Sequence, residues 1–145
     1  MSFCNKFFQL LLLFAFNISA DELTINISGQ TKEGVLSLAI YDNAEAYNYS
    51  VKGEKRSEKG IFSGIESFIE LKEIHEFVID LPEGVYAIAL FVDANKNLKI
   101  DKNFLGIPKE QFGFSNNAMG KLSAPSFEQA KFEVRGDTLQ NIKLK

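Results

Sequence analysis

Residues 93–101 read Asp-Ala-Asn-Lys-Asn-Leu-Lys-Ile-Asp, which places side-chain oxygens at Asp93, Asn95, Asn97 and Asp101 and a main-chain carbonyl at Lys99 between the last two. A hard cation such as calcium takes about six to eight oxygen ligands, and a loop supplies them by turning every second side chain inward. The same residue types have a second use. Asn and Asp accept hydrogen bonds from backbone amides a few residues on and gather at strand exits without any metal. Spacing alone leaves both readings open. A zinc site would instead need His or Cys, and the only histidine, His75, lies in Glu-Ile-His-Glu and reads as an exposed strand residue.

The spacing matches the first, third, fifth, seventh and ninth places of an EF-hand-type calcium loop, and it departs from that loop twice. Leu98 stands where the sharp turn takes glycine, and Phe104 stands where a bidentate carboxylate closes the site. Glu110, presented by the Gly-Ile-Pro-Lys-Glu turn, is the candidate closing ligand, with Asn103 a weaker one. The expected calcium ligands are therefore Asp93, Asn95, Asn97, the Lys99 carbonyl, Asp101 and Glu110. Lys96, Lys99 and Lys102 oppose them, which sets the expected affinity in the class of about 10⁻⁴ to 10⁻³ M. The carboxylates of Asp93, Asp101 and Glu110 also raise the alternative of a secreted hydrolase using an acid and base pair. No nucleophile motif, histidine dyad or phosphate-binding glycine loop accompanies them.

A second candidate follows at Phe112, Phe114, Ser115, Asn116 and Asn117, where aromatics stand beside amides as in sugar or peptide sites. Its partner would be a small molecule, a glycan or a protein. The competing reading has both phenylalanines pinning a long loop to the core.

Short strands must position these residues. Leu23, Ile25 and Ile27 alternate with polar neighbours, as do Leu36, Leu38 and Ile40, and the polar Gly29–Gly34 segment between them reads as a hairpin connection. Phe77 and Ile79 lead to a Pro82-Glu83-Gly84 turn, after which residues 85–92 are apolar on both faces, as a central strand requires. Tyr86 after that glycine reads as a tyrosine corner with a structural role. Phe132 and Val134, then Ile142 and Leu144, form two closing strands around Gly136-Asp137. Residues 44–75 carry no clear pattern: Ile61 to Ile74 fits both helical and strand spacing, with a lean to strand. Helix is confined to a turn at Ser-Phe-Glu-Gln-Ala. About six or seven strands of this kind predict an all-β fold, one antiparallel Greek-key sandwich of transthyretin or immunoglobulin type. Its long loop runs from Asp93 to about Ser126, with Phe104, Leu105, Ile107, Phe112 and Phe114 folding it back onto the sandwich.

The 145 residues, 46% of them hydrophobic, suffice for one such domain. It is expected over residues 21–145, because residues 1–20 read as a secretory signal peptide. Lys6 gives a basic start, residues 7–18 a short apolar core, and Ser19-Ala20 a small-residue cleavage point. That core is shorter than the roughly 18 to 20 apolar residues a membrane span needs, so no transmembrane segment is expected in the mature chain. Cleavage would remove Cys4, the sole cysteine, and leave an exported, periplasmic or extracellular domain held together without disulfides. Removing Lys6 makes the chain one charge more acidic than its net −3, which argues against nucleic acid as a partner. The densest basic run, Lys52 to Lys59, is interrupted by acids and reads as a solvated loop.

Longer stretches carry a family resemblance. Residues 81–132 contain Gly-Ile-Pro-Lys-Glu, Gly-Phe-Ser-Asn-Asn and Pro-Ser-Phe-Glu-Gln-Ala behind the Asp-x-Asn-x-Asn loop. They resemble the bacterial domain-of-unknown-function family 2141, over about residues 22–145. Motif positions fall on Asp93, Asn95, Asn97, Asp101, Gly106, Pro108, Glu110, Gly113, Phe114, Ser115, Asn116, Asn117, Pro125, Ser126, Phe127 and Ala130, while Leu98 replaces the usual glycine. The resemblance implies an exported β-sandwich of unestablished activity and transfers no catalytic residue. The expectation is a non-catalytic binding or accessory module, against the alternatives of a carboxylate hydrolase or a structural envelope protein.

Overall fold

The computed structural model describes residues 20–52 and 60–145. The segment read as a signal peptide, up to Ser19 and including Cys4 and Lys6, and residues 53–59 of the basic run lie outside them. Among the described residues, eight strands form two sheets. In the first, β1 (Asp21–Ser28) lies between β4 (Ile74–Leu81) and β8 (Thr138–Lys143). In the second the order is β3 (Ser63–Ile69), β2 (Gly34–Tyr41), β5 (Gly84–Asp93), β6 (Phe112–Phe114), and β7 (Phe132–Val134) pairs with β5 beyond the end of β6. Alternation explains the layers: Leu23, Ile25 and Ile27 of β1 meet Leu36, Leu38 and Ile40 of β2 and Ile88, Leu90 and Val92 of β5 in one buried core. The fold is the expected all-β sandwich, with β5 a central strand.

Connectivity differs from the sequence reading in four places. Gly29–Gly34 is not a hairpin turn, since it carries the chain from one sheet to the other, and the Pro82–Gly84 and Gly136–Asp137 turns do the same. One pairing, β1 with β8, is parallel (Leu23 opposite Thr138), whereas the others are antiparallel. A helix, α1 (Ala44–Lys52), follows β2, its start capped by Asn43, whose side chain accepts the Ala46 amide at 3.0 Å. The long loop also contains β6, followed by a 3-10 turn at Ser115–Asn117. Period-two alternation reports which side of a strand faces the core and nothing about which strand lies beside it. That is why faces were legible and neighbours were not.

Two expectations for single residues hold. The Tyr86 hydroxyl donates to the Pro82 carbonyl at 2.9 Å, and its ring lies 3.1 Å from where a side chain at Gly84 would begin. The Ser-Phe-Glu-Gln-Ala segment is the short helix α2 (Phe127–Ala130), closed at its start by a capping box between Ser126 and Gln129.

Candidate functional site

Strand β5 ends at Asp93, whose carboxylate is 1% exposed and accepts the amides of Asn97 at 3.2 Å and Leu98 at 2.7 Å. The next oxygens repeat this local pattern. Asn95 accepts the Asn97 amide and Asn97 accepts the Lys99 amide, each at 3.2 Å, while both side-chain amides donate to Asp101. Glu110 closes the ring by accepting Ala94 at 3.0 Å and Asp101 at 3.1 Å through its two oxygens. The backbone follows a tight course, with Lys96 at φ 59° and Leu98 at φ 64°. Leu98 therefore occupies the left-handed conformation that glycine would take without strain, a local cost of about 1 to 2 kcal/mol.

Electrostatics follow the geometry. The Asn97 and Asn95 amides hold the Asp101 carboxyl below the usual carboxylate range, helped by Lys99 and Lys109. Burial pushes Glu110 upward, only partly offset by its backbone bonds to Asp101 and Ala94. Lys96 turns away from this ring, its ammonium 5.0 Å from the centre of the Phe68 ring. Among the described residues, no three His, Cys, Asp or Glu side chains converge as a metal-binding group. The expected oxygens thus lie around one turn, drawn together by main-chain amides, with Asn side-chain oxygens and the Lys99 carbonyl as the remaining donors a cation would use. His75 is half-buried and not exposed, paired with Gln30 at 2.6 Å, and burial lowers its pKa.

The second expected set divides. Ser115 is fully buried and fills a gap in the ladder: β7 pairs with β5 up to Tyr86 and β6 pairs with it from Ala89. Between them the Ile88 amide donates to Ser115 Oγ at 2.9 Å, and that hydroxyl donates onward to the Ala130 carbonyl. Asn116 donates to the Ala130 and Lys131 carbonyls, while its own amide reaches Gln140. Asn117 behaves like an added strand on the free edge of β8, donating to the Asn141 carbonyl at 2.9 Å and accepting the Lys143 amide at 2.7 Å. Asn116 and Asn117 tie this turn to β8 of the first sheet, while Ser115 joins β5 to the end of α2. Gly113 permits the close passage, since a side chain there would begin 2.7 Å from Ile142.

Phe112 and Phe114 pin the loop, Phe114 buried beside Ala39, Tyr41 and Ala87 and Phe112 half-buried against them, and both also wall a cleft. The outer face of the second sheet carries Ser37, Ala39 and Tyr41 on β2 and Ala87, Ala89 and Phe91 on β5, with Ala39 directly opposite Ala89. Small side chains at its middle leave space that larger strand residues would fill. Two loops and the end of α1 rise around that space and enclose about 830 Å³. One wall is the turn 101–109, closed by Asn103, which accepts the Leu105 and Ile107 amides. The other is the 119–125 segment. Leu105, Ile107, Met119 and Leu122 line the cleft yet stay largely exposed at its rim. Phe104 does not fold back onto the sandwich as expected; at the tip of its turn it is 95% exposed. Sequence reading missed this cleft, because its floor joins residues fifty positions apart and small strand residues carry no signal of their own.

A two-sheet sandwich with an apolar cleft on an outer face, walled by a self-bonded loop, defines the class: a small all-β domain with a preformed cavity. The chain belongs to the family described as uncharacterized protein conserved in bacteria, DUF2141, which it matches over residues 25–143. Neither a curated relative nor a solved structure matches it. Among the described residues no helix is long and apolar enough to cross a membrane.

Proposed function

We propose that this protein is an exported, non-catalytic binding module whose ligand occupies the apolar cleft on the outer face of the second sheet. The observation that carries this reading is the cleft of about 830 Å³, floored by Ala39 and Ala89 and walled by Phe91, Phe112 and Phe114. That volume lies in the range of about 300 to 1,000 Å³ typical of small-molecule sites, which are concave, mostly apolar and largely preformed. Export is supported by the basic start and short apolar run of residues 1–20. The Asp93–Glu110 ring has the supporting part of holding the loop that walls the cleft, and calcium would tighten it by taking oxygens that now accept backbone amides. The hydrolase alternative would assign the proton to Glu110, whose pKa is raised, yet both its oxygens already accept main-chain amides and it lines a separate, smaller pocket.

Titration with the neutral apolar fluorophore N-phenyl-1-naphthylamine tests the reading. Saturable enhancement in the purified protein, lost in Ala89→Trp while the thermal midpoint is retained, is the expected result. No saturable binding in the wild-type protein would overturn it.

A further inference from the structure

We propose that the cleft takes an amphipathic anion: a hydrocarbon tail on the alanine floor, with a carboxylate-like head held at the rim by Lys102 and Lys121. This rests on the cleft being a binding site and names the class of ligand it accepts. The sign of its charge carries the argument. The chain as a whole is acidic, with 19 Asp and Glu against 16 Lys and Arg, yet among the described residues the cleft is lined by Lys52, Lys102 and Lys121 and by no Asp or Glu. Among the described residues, neither Lys102 nor Lys121 forms an ion pair with a carboxylate. Both are exposed residues that line the apolar cavity, where a ligand anion would meet them without first displacing a carboxylate partner.

Apolar depth and cationic rim together select the ligand. Leu105, Ile107, Met119 and Leu122 leave large apolar side chains exposed beside the lysines, an arrangement a fully polar ligand such as a sugar would not use. The lining polar groups are few: Ser37, Tyr41, Ser50 and Ser123 besides the lysines, with Tyr41 donating to Ser50 at 2.7 Å. A tail therefore finds mostly carbon along its path and charge only where it emerges. Chains of the fatty-acid type combine both requirements in one molecule.

The test displaces N-phenyl-1-naphthylamine with three ligands of one chain length, each below its micellar concentration: dodecanoate, dodecanol and dodecyltrimethylammonium. Dodecanoate is expected to displace the dye at roughly tenfold lower concentration than the cationic analogue, with dodecanol between them, and the gap should shrink at high salt. In Lys102→Glu/Lys121→Glu, checked for an unchanged thermal midpoint, the order of the two charged ligands should reverse. Equal potency of all three in a protein that still binds the dye would overturn the inference and leave the binding reading intact. Loss of dye binding itself would overturn both. Two further results would sink the proposal: binding to anionic phosphatidylglycerol vesicles without displacement by dodecanoate, which would put a bilayer surface there, and dye binding that appears only on dissociation of a dimer, which would put a second copy there.

Discussion

Strands β2 and β5 show two unlike faces of one piece of sheet. Inward, Leu36, Leu38 and Ile40 pair with Ile88, Leu90 and Val92, all buried in the sandwich core against β1. Outward, the same strands carry Ser37, Ala39, Ala87 and Ala89 between the larger Tyr41 and Phe91. The backbone and its hydrogen bonds are common to both faces, so the difference is one of side-chain volume. The inner face is filled to the density of a protein interior, and the outer face is left short of volume and roofed by loops. Stability and binding are thereby assigned to opposite sides of the same strands, and substitutions should separate them.

The largest effect is expected on the inner side. Leu38→Ala deletes a fully buried side chain and leaves a cavity between the sheets, so unfolding should become easier by about 2 to 5 kcal/mol in urea titrations. Dye binding should persist wherever the variant is still folded. A Leu38→Ala protein that keeps its stability but loses the dye would break the division between faces. Next comes the seam. Ser115→Ala removes the acceptor of the Ile88 amide in a gap between β7 and β6, stranding a buried donor and costing about 1 to 3 kcal/mol. Its effect should appear as a lower thermal midpoint with dye affinity in the folded protein unchanged, since Ser115 does not line the cleft.

The loop that walls the outer face gives an intermediate effect. If calcium occupies the Asp93–Glu110 ring at a tenfold excess over its dissociation constant, it adds about 1.4 kcal/mol of stability. The thermal midpoint should then rise by a few degrees between chelator and millimolar calcium, and the rise should vanish in Asp93→Ala. Midpoints that match in both conditions would leave the ring as turn chemistry alone and make the roof of the cleft independent of metal.

Parts of this arrangement were legible in the sequence for definite reasons. The two-sided apolar run at residues 85–92 marked β5 as central, and alternation at Leu23, Ile25 and Ile27 marked an inward face. Nothing local told β1 that its neighbours would be β4 and β8, so Gly29–Gly34 looked like a hairpin. Helix α1 was hidden because Asn48, Ser50 and Val51 are indifferent helix formers, although Asn43, Glu45 and Lys52 stood at the right ends. In the loop, the bonds within residues 93–101 could be anticipated because donors and acceptors lie within a few positions. The roles of Ser115, Asn116 and Asn117 could not, since their partners are Ile88, Ala130, Gln140 and Asn141. The cleft was the least legible feature, because it is made by what Ala39 and Ala89 lack.

A smaller effect is expected from pH, acting on the loop alone. Asp101 has a folded pKa below its unfolded value of about 3.9, so its contribution is present above that pH and lost as the pH falls through the lower folded value. Glu110 has the opposite sign. Its raised folded pKa gives a contribution present below about pH 4.3, which is lost as the pH rises through the folded value. Urea midpoints between pH 3 and 6 should therefore show the wild-type advantage over Asp101→Asn growing with pH, and that over Glu110→Gln shrinking. Parallel curves for both variants would remove the charge asymmetry from the loop.

The smallest effect distinguishes the two faces most directly. Ala89→Val places a β-branched side chain on the cleft floor, where strand propensity favours it and where the space to receive it already exists. If the outer face was left underfilled to admit a ligand, this substitution should stabilise the fold by about 0.5 kcal/mol while weakening dye binding several-fold. Ala87→Val lies on the same outer face but at a fully buried position among Ala39, Tyr41, Tyr47 and Phe127, where added volume has nowhere to go. It should destabilise by about 1 kcal/mol or more. Opposite signs for two alanines on one face of one strand would locate the spare volume at Ala89 and mark it as a site, whereas losses of stability at both would mean that the outer face is packed as fully as the inner one.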